Sequence, residues 1–360
     1  MGLDADVPVL SEPAKPSPRP PQPVDVERAV AMADTAKTPV ILAGGGMKNS
    51  EALERLATRL DAPVISTTNG RGLMADHPLN LPASPSLLAV RRMMDDADLL
   101  IALGTEIGET DCDFFMLGPV SDHPNMIRVD IDGAQLDRRQ DRGLMIEADA
   151  AATALALAER LTPRSRDGTE RAAKARDAAW NDVPKAYQDQ IELLHAIWRE
   201  HPDALIVGDS TQPVYAGMLY LDVPRPDAWF HSATGYGTLG YAAPAAIGAA
   251  LAVPDRPVIC LIGDGGLQFT LAELGSAVDA GAPVIFLVWN NAGYREIETS
   301  MIKAGIAPIG VKPSAPDFVA VAEAYGLSAS RISDPGELVA AVTRAIDRAS
   351  GGHLIDVLSP

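Results

Sequence analysis

Two doubly wound α/β units, each built on a parallel sheet, are what this 360-residue sequence predicts. Three observations carry that expectation. Short apolar runs alternate with longer segments of helical spacing, the pattern of parallel strands covered on both faces. The alternation breaks off once, at Thr162-Pro163-Arg164-Ser165-Arg166-Asp167-Gly168, where chain breakers cluster. The length accommodates two domains of ordinary size.

Residues 1–23 hold seven prolines among small and charged residues. Such a stretch buries too little apolar area to order itself and reads as a Pro-rich tail or linker. Residues 24–162 form the first unit, a Rossmann-like central domain. Its strands are expected at Val40-Ile41-Leu42-Ala43, Val64-Ile65-Ser66, Leu99 to Leu103 and Ile127 to Ile131, with helices over Glu51 to Leu60 and Ser86 to Asp96. Residues 163–185, a breaker-rich loop followed by a charged helical stretch, read as the interdomain linker. Residues 186–360 form the second unit. Strands are expected there at Leu205-Ile206-Val207, Val258 to Ile262, Val284 to Trp289 and Leu354 to Val357. Helices fit Ala243 to Leu251, Ala272 to Ala280, Asp317 to Tyr325 and Gly336 to Ala349.

A formal charge of −18 argues against a nucleic-acid partner, because affinity for a phosphate backbone rests on clustered Lys and Arg. No apolar run approaches the roughly 18 residues needed to cross a bilayer, and the polar N-terminus is no signal peptide. Cys112 and Cys260 lie far apart and read as buried thiols of a reducing compartment. A cytoplasmic protein is expected.

The chemistry concentrates at strand ends, where ligands of open α/β sheets bind. Asp264, in Gly263-Asp264-Gly265-Gly266, precedes Asn291, in Asn290-Asn291-Ala292-Gly293, by 27 residues. A carboxylate and an amide oxygen brought together this way suit a hard cation such as Mg²⁺, normally shared with phosphates. The glycines Gly265 and Gly266 let backbone N–H groups approach those phosphates. Upstream, a Gly-rich loop from Gly235 through Thr238 and Leu239 runs into an Ala-rich helix. Asp209-Ser210-Thr211-Gln212 follows the 205–207 strand with hydroxyls and N–H groups suited to phosphate, or to a helix N-cap.

The GDG and NN motifs at this interval resemble the signature of thiamine diphosphate enzymes. The run from Gly235 through Met301, with the central stretch Asp98 to Thr110, is similar to the acetolactate synthase / 5-guanidino-2-oxopentanoate decarboxylase group; the resemblance covers nearly everything after residue 24. It implies that Asp264, the Asn291 side chain and the Gly293 carbonyl hold Mg²⁺, which anchors the cofactor diphosphate. It implies further that the Gly237 carbonyl meets the aminopyrimidine and that Leu239 wedges beneath a bent cofactor. Asp209 to Gln212 become its second diphosphate loop, and Tyr294 follows the metal loop as in many relatives. The implied activity is decarboxylation of a 2-oxo acid, with protonation of the acyl unit or its transfer to a second carbonyl compound.

Full-length relatives also carry a pyrimidine-binding domain that supplies an activating glutamate, and no glutamate of this chain takes that role. The simplest expectation is a split enzyme, a separate glutamate-bearing subunit in a hetero-oligomer containing a dimer or tetramer of this chain; a truncated sequence or a gene remnant is the competing explanation. A noncatalytic scaffold that retains the fold is the alternative. Gly44-Gly45-Gly46 resembles the family's vestigial nucleotide fold, which binds FAD in some members and nothing in others; FAD is the less favoured reading here. A catalytic glutamate of one related branch is replaced by Ile297, with Glu296 and Glu298 on either side; Arg295 could meet a substrate carboxylate or face solvent, the solvated reading being favoured.

Overall fold

The computed structural model describes residues 19–115, 120, 123–137, 143–348 and 351–359. The Pro-rich stretch therefore lies outside the described residues up to residue 18. Pro23, assigned above to that stretch, instead opens a helix, Pro23–Thr35. Proline suits a first helical position, where its missing N–H would have had no partner.

The first sheet is made of β1 (Pro39–Ala43), β2 (Val64–Ser66), β3 (Asn80–Leu81), β4 (Leu99–Leu103), β5 (Met126–Asp130) and β6 (Gly143–Glu147). All its pairings are parallel, in the order β3-β2-β1-β4-β5-β6. That is the doubly wound order whose direction reverses between β1 and β4. Every residue of β1 and β4 is buried, which their uninterrupted apolar composition requires. The glycine run after β1 packs against the turn after β4. The Gly44 and Gly46 N–H groups donate to the Leu103 and Gly104 carbonyls at 3.0 and 2.9 Å, so the run's donors are largely consumed within the fold.

The second sheet contains β7 (Leu205–Gly208), β8 (Trp229–His231), β9 (Val258–Gly263), β10 (Val284–Asn290), β11 (Ser328–Ile332) and β12 (His353–Leu358). Its order is β11-β12-β10-β9-β7-β8, again all parallel. The order reverses between β7 and β9, so a crevice opens beyond the ends of β7, β9 and β10. Asp209, Asp264 and Asn291 sit there.

Residues 163–185 do more than connect. Arg166 is buried and donates to the carbonyls of Ala33, Ala36 and Leu60 on the first unit. The following helix, Gly168–Asp182, buries Ala172, Ala175 and Ala179. An alanine stripe among charged residues reads in sequence as a solvated face, but small side chains allow close helix packing.

One apolar cluster runs through both units, from Val40 and Leu100 to Ile259 and Trp289, and each unit has a further cluster of its own. Arg71 is a buried polar link across the shared cluster, beside backbone hydrogen bonds such as Ser84 N–H to the Leu219 carbonyl and Leu221 N–H to the Pro82 carbonyl. Its Nε donates to the Ser66 carbonyl at 3.0 Å within the first unit, and its Nη1 also reaches Pro82. Nη1 and Nη2 then donate to the Leu221 and Met218 carbonyls of the second unit at 3.0 and 3.1 Å. Burial lowers its pKa to about 10, against the opposing pull of Asp111. Arg71→Met should therefore strand these carbonyls and cost about 2–4 kcal/mol. Scanning calorimetry checks this: the melting temperature falls, whereas an unchanged melt removes Arg71 as a link between the units.

Candidate cofactor and metal site

β9 and β10 pair in register from Val258–Val284 to Gly263–Trp289, which brings Asp264 and Asn291 to neighbouring strand ends. Asp264 is 2% exposed. Burial raises its pKa, and the N–H groups of Gly265, Asn291 and Gly293 partly oppose that rise. Its Oδ2 is nonetheless buried with no hydrogen-bond partner, and so is the Oδ1 of Asn291. The amide is not free to turn, because Asn291 Nδ2 donates to Gln212 Oε1 at 3.1 Å. Two unpartnered oxygens, one anionic, are thus held at one place. Buried acceptors left without donors are costly, and a hard divalent cation satisfies both. Among the described residues no cluster of three or more His, Cys, Asp or Glu forms, so a cation here would share its remaining positions with a ligand. The residues fit a hard divalent cation such as Mg²⁺, which Asp264 and Asn291 would hold together with a phosphate-bearing ligand.

Backbone geometry explains the glycines. A side chain at Gly265 would collide with the Tyr294 ring, 2.5 Å from the Cβ position. Gly293 adopts φ 156° and a Cβ there would lie 2.6 Å from the Val311 carbonyl. Asn290, the first residue of the pair, is structural. Its Nδ2 donates to the wholly buried Asp356 at 3.0 Å, and its Oδ1 accepts from the Ala292 N–H at 3.3 Å. Arg331 Nε holds the other Asp356 oxygen at 2.8 Å. This network braces the turn in which Ala292 takes the left-handed φ of 59°.

A cleft of about 200 Å³ is lined by Ser210, Thr211, Gln212, Gly237, Leu239, Asp264, Gly265, Gly266, Asn291, Gly293 and Tyr294. Sequence reasoning had singled out all of these. Asp209 and Thr238, grouped with them there, are placed differently. Asp209 is fully buried, and its carboxylate accepts from the backbone N–H groups of Ser210, Gly240, Tyr241 and Ala242. It clamps the Leu239 loop to the end of β7 instead of facing the cleft. The Thr238 carbonyl accepts from Ser232 Oγ at 2.8 Å, and the residue lies off the lining. The Gly237 carbonyl accepts from Ser210 Oγ at 3.2 Å, joining the two loops. Tyr215, Gly263, Arg295, Glu296 and Ile297 also line the cleft but were not assigned to it from sequence. For Glu296 a signal existed, its place five residues beyond Asn291.

Residues 26–157 match the family model of the thiamine pyrophosphate enzyme central domain, and residues 209–357 match that of the C-terminal TPP binding domain. This chain carries the central and C-terminal domains of the thiamine pyrophosphate enzymes. Among curated relatives of these domains, the probable 2-ketoarginine decarboxylase of Pseudomonas aeruginosa is 36% identical over 312 residues, covering 84% of this chain and 55% of the relative. The acetolactate synthase isozyme 3 large subunit of Escherichia coli is 27% identical over 351 residues, covering 92% of this chain and 61% of the relative. The chain thus spans little more than half the length of these relatives. In fold it resembles the Rhodococcus jostii thiamine diphosphate-dependent 4-hydroxybenzoylformate decarboxylase, with a TM-score of 0.75 at 24% identity over 97% of this chain and 66% of that one.

Replacing Asp264 by Ala should weaken Mg²⁺-dependent thiamine diphosphate binding at least about 100-fold, since even an outer contact to a metal is commonly worth 10- to 100-fold. Titration calorimetry with and without Mg²⁺ decides it. Equal affinity in the wild type and the variant would remove Asp264 from the metal site.

Proposed function

We propose that this chain is the diphosphate-side subunit of a Mg²⁺- and thiamine diphosphate-dependent enzyme that decarboxylates a 2-oxo acid and protonates or transfers the acyl unit. The pair of unpartnered oxygens on Asp264 and Asn291, facing a cleft walled by Leu239, carries the reading. Asp264 and Asn291 would hold Mg²⁺, with the Gly293 carbonyl as the further protein ligand. Ser210, Thr211 and Gln212 would meet the diphosphate, and Leu239 would press on the cofactor from one side. When bound, the cofactor supplies the carbanion-stabilising chemistry that lets carbon dioxide leave. The protein's part is to position it and exclude water.

A separate pyrimidine-binding subunit belongs to this proposal. The surface next to the cleft supports it: the helix Arg295–Lys303 buries none of its residues, and Ile297, on the cleft wall, is itself exposed. Tyr236, beside Gly237, is fully exposed. Apolar side chains gathered at a cleft mouth are the usual mark of a surface that another polypeptide covers. Cys112 and Cys260 are both buried, in keeping with the proposed cytoplasmic location.

Carbon dioxide release from a panel of 2-oxo acids tests the proposal, using this chain alone and mixed with a pyrimidine-domain subunit. Little or no activity is expected from the chain alone, and activity that neither component has is expected on mixing. Full activity of the isolated chain would overturn the split arrangement.

A further inference from the structure

Asn291 offers its buried Oδ1 to a cation only while its side-chain amide stands in one of two orientations. Turned over, it would bring a donor instead of an acceptor to the metal position, and a divalent ion would be repelled. What fixes the orientation lies beyond Asn291 itself. Asn291 Nδ2 donates to Gln212 Oε1 at 3.1 Å, and Gln212 Nε2 donates to Glu296 Oε1 at 3.1 Å. Each amide alone is reversible, because its oxygen and NH2 ends are alike in size. Glu296 is not, since an ionised carboxylate only accepts.

The three side chains therefore connect in one sense. Glu296 takes the NH2 end of Gln212, which leaves the Gln212 oxygen for Asn291. Asn291 must meet that oxygen with its own NH2 end, which leaves Oδ1 for the cation. Reversing either amide, or both together, sets like ends against each other in at least one contact. A second donor keeps Glu296 in its accepting role. Tyr187, on the helix Lys185–Glu200, bonds to it, and its phenol is pushed up first by burial and then by the Glu296 charge, so it keeps its proton. The neighbouring cations Arg295 and Lys312 are engaged by Glu298, at 3.8 and 2.9 Å.

We propose that Glu296 is a positioning residue for the metal: by accepting from Gln212 it fixes, through one intervening side chain, which atom Asn291 presents to the cation. It rests on the metal-site reading above and extends that site to the first turn of the helix Arg295–Lys303. The metal loop and the helix that follows it then act as one unit, with Gln212 from the loop after β7 as the connecting piece.

The test is Mn²⁺ binding by the full chain, followed by electron paramagnetic resonance. Mn²⁺ is added alone, so that any contact of residue 212 with a diphosphate is left out, and Asp264→Ala defines the background. Gln212→Leu should weaken Mn²⁺ binding about 10- to 100-fold, the range for a group that orients a metal ligand, and Glu296→Leu about tenfold. The two losses should not add, because Glu296 acts through Gln212: in the Gln212→Leu background the second substitution should change little. Direct attraction of the cation by the Glu296 charge would persist in that background. Exchanging the two residues, Gln212→Glu with Glu296→Gln, keeps the net charge and again sets an acceptor-only group against Asn291 Nδ2, so binding should return to near the wild-type value. That recovery also excludes misfolding as the cause of the losses. Wild-type binding by Gln212→Leu, losses that add, or an exchange variant that binds no better than the double leucine variant would each overturn the proposal. Failure of the metal site itself has a separate signature: a wild type that binds no more Mn²⁺ than Asp264→Ala, which would remove the site and the role of Glu296 with it.

Discussion

A carboxylate oxygen and an amide oxygen that are both shut off from water, with no donor in reach, raise the free energy of the fold that contains them. Asp264 Oδ2 and Asn291 Oδ1 are such a pair. Each unsatisfied buried polar atom costs on the order of 1–3 kcal/mol, more where charge is involved. The surrounding structure is arranged to keep them apart from donors. Gln212 holds the donor end of the Asn291 amide, three backbone N–H groups occupy the other side of the Asp264 carboxylate, and Asn290 braces the turn between them. A cation that bound there would recover the cost, and the protein would gain stability from its own ligand.

The sheet order makes this arrangement possible. Parallel β7, β9 and β10 end on the same side, and the reversal between β7 and β9 keeps a covering helix out of the space beyond them. Long-range side-chain contacts then fix the loops. Asp356 reaches Asn290 from β12, and Asp209 gathers the backbone N–H groups of residues 240–242 so that Leu239 stays on the cleft wall. The second unit leans on the first through Arg71 and the shared core, so the loops sit on a base to which both units contribute.

Those parts of the fold that the sequence makes visible are the ones governed by local composition. β1, β4, β9 and β10 are apolar throughout because both faces are covered, and such runs are conspicuous. β3 has only two residues, while β6 and β11 carry Gly, Glu, Ser and Arg, so they resemble loops. At the site, Asp264, Asn291 and their glycines are legible because metal and phosphate chemistry restricts residue type at strand ends. The inward turn of Asp209 is not, since a carboxylate after a strand looks the same whether it faces a ligand or a neighbouring backbone. The Asp356 to Asn290 and Gln212 to Glu296 contacts join residues distant in sequence, and no local pattern announces them.

Crystals of this protein grown with thiamine diphosphate and Mn²⁺ in place of Mg²⁺ would show whether Asp264 and Asn291 hold the metal, because Mn²⁺ can be located by its anomalous scattering. One strong anomalous peak is expected, about 2.0–2.3 Å from both Asp264 Oδ2 and Asn291 Oδ1, the range for a hard divalent cation on oxygen. Diphosphate oxygens should complete its coordination. Cofactor density with no metal between these two side chains, or a metal bound elsewhere, would contradict it.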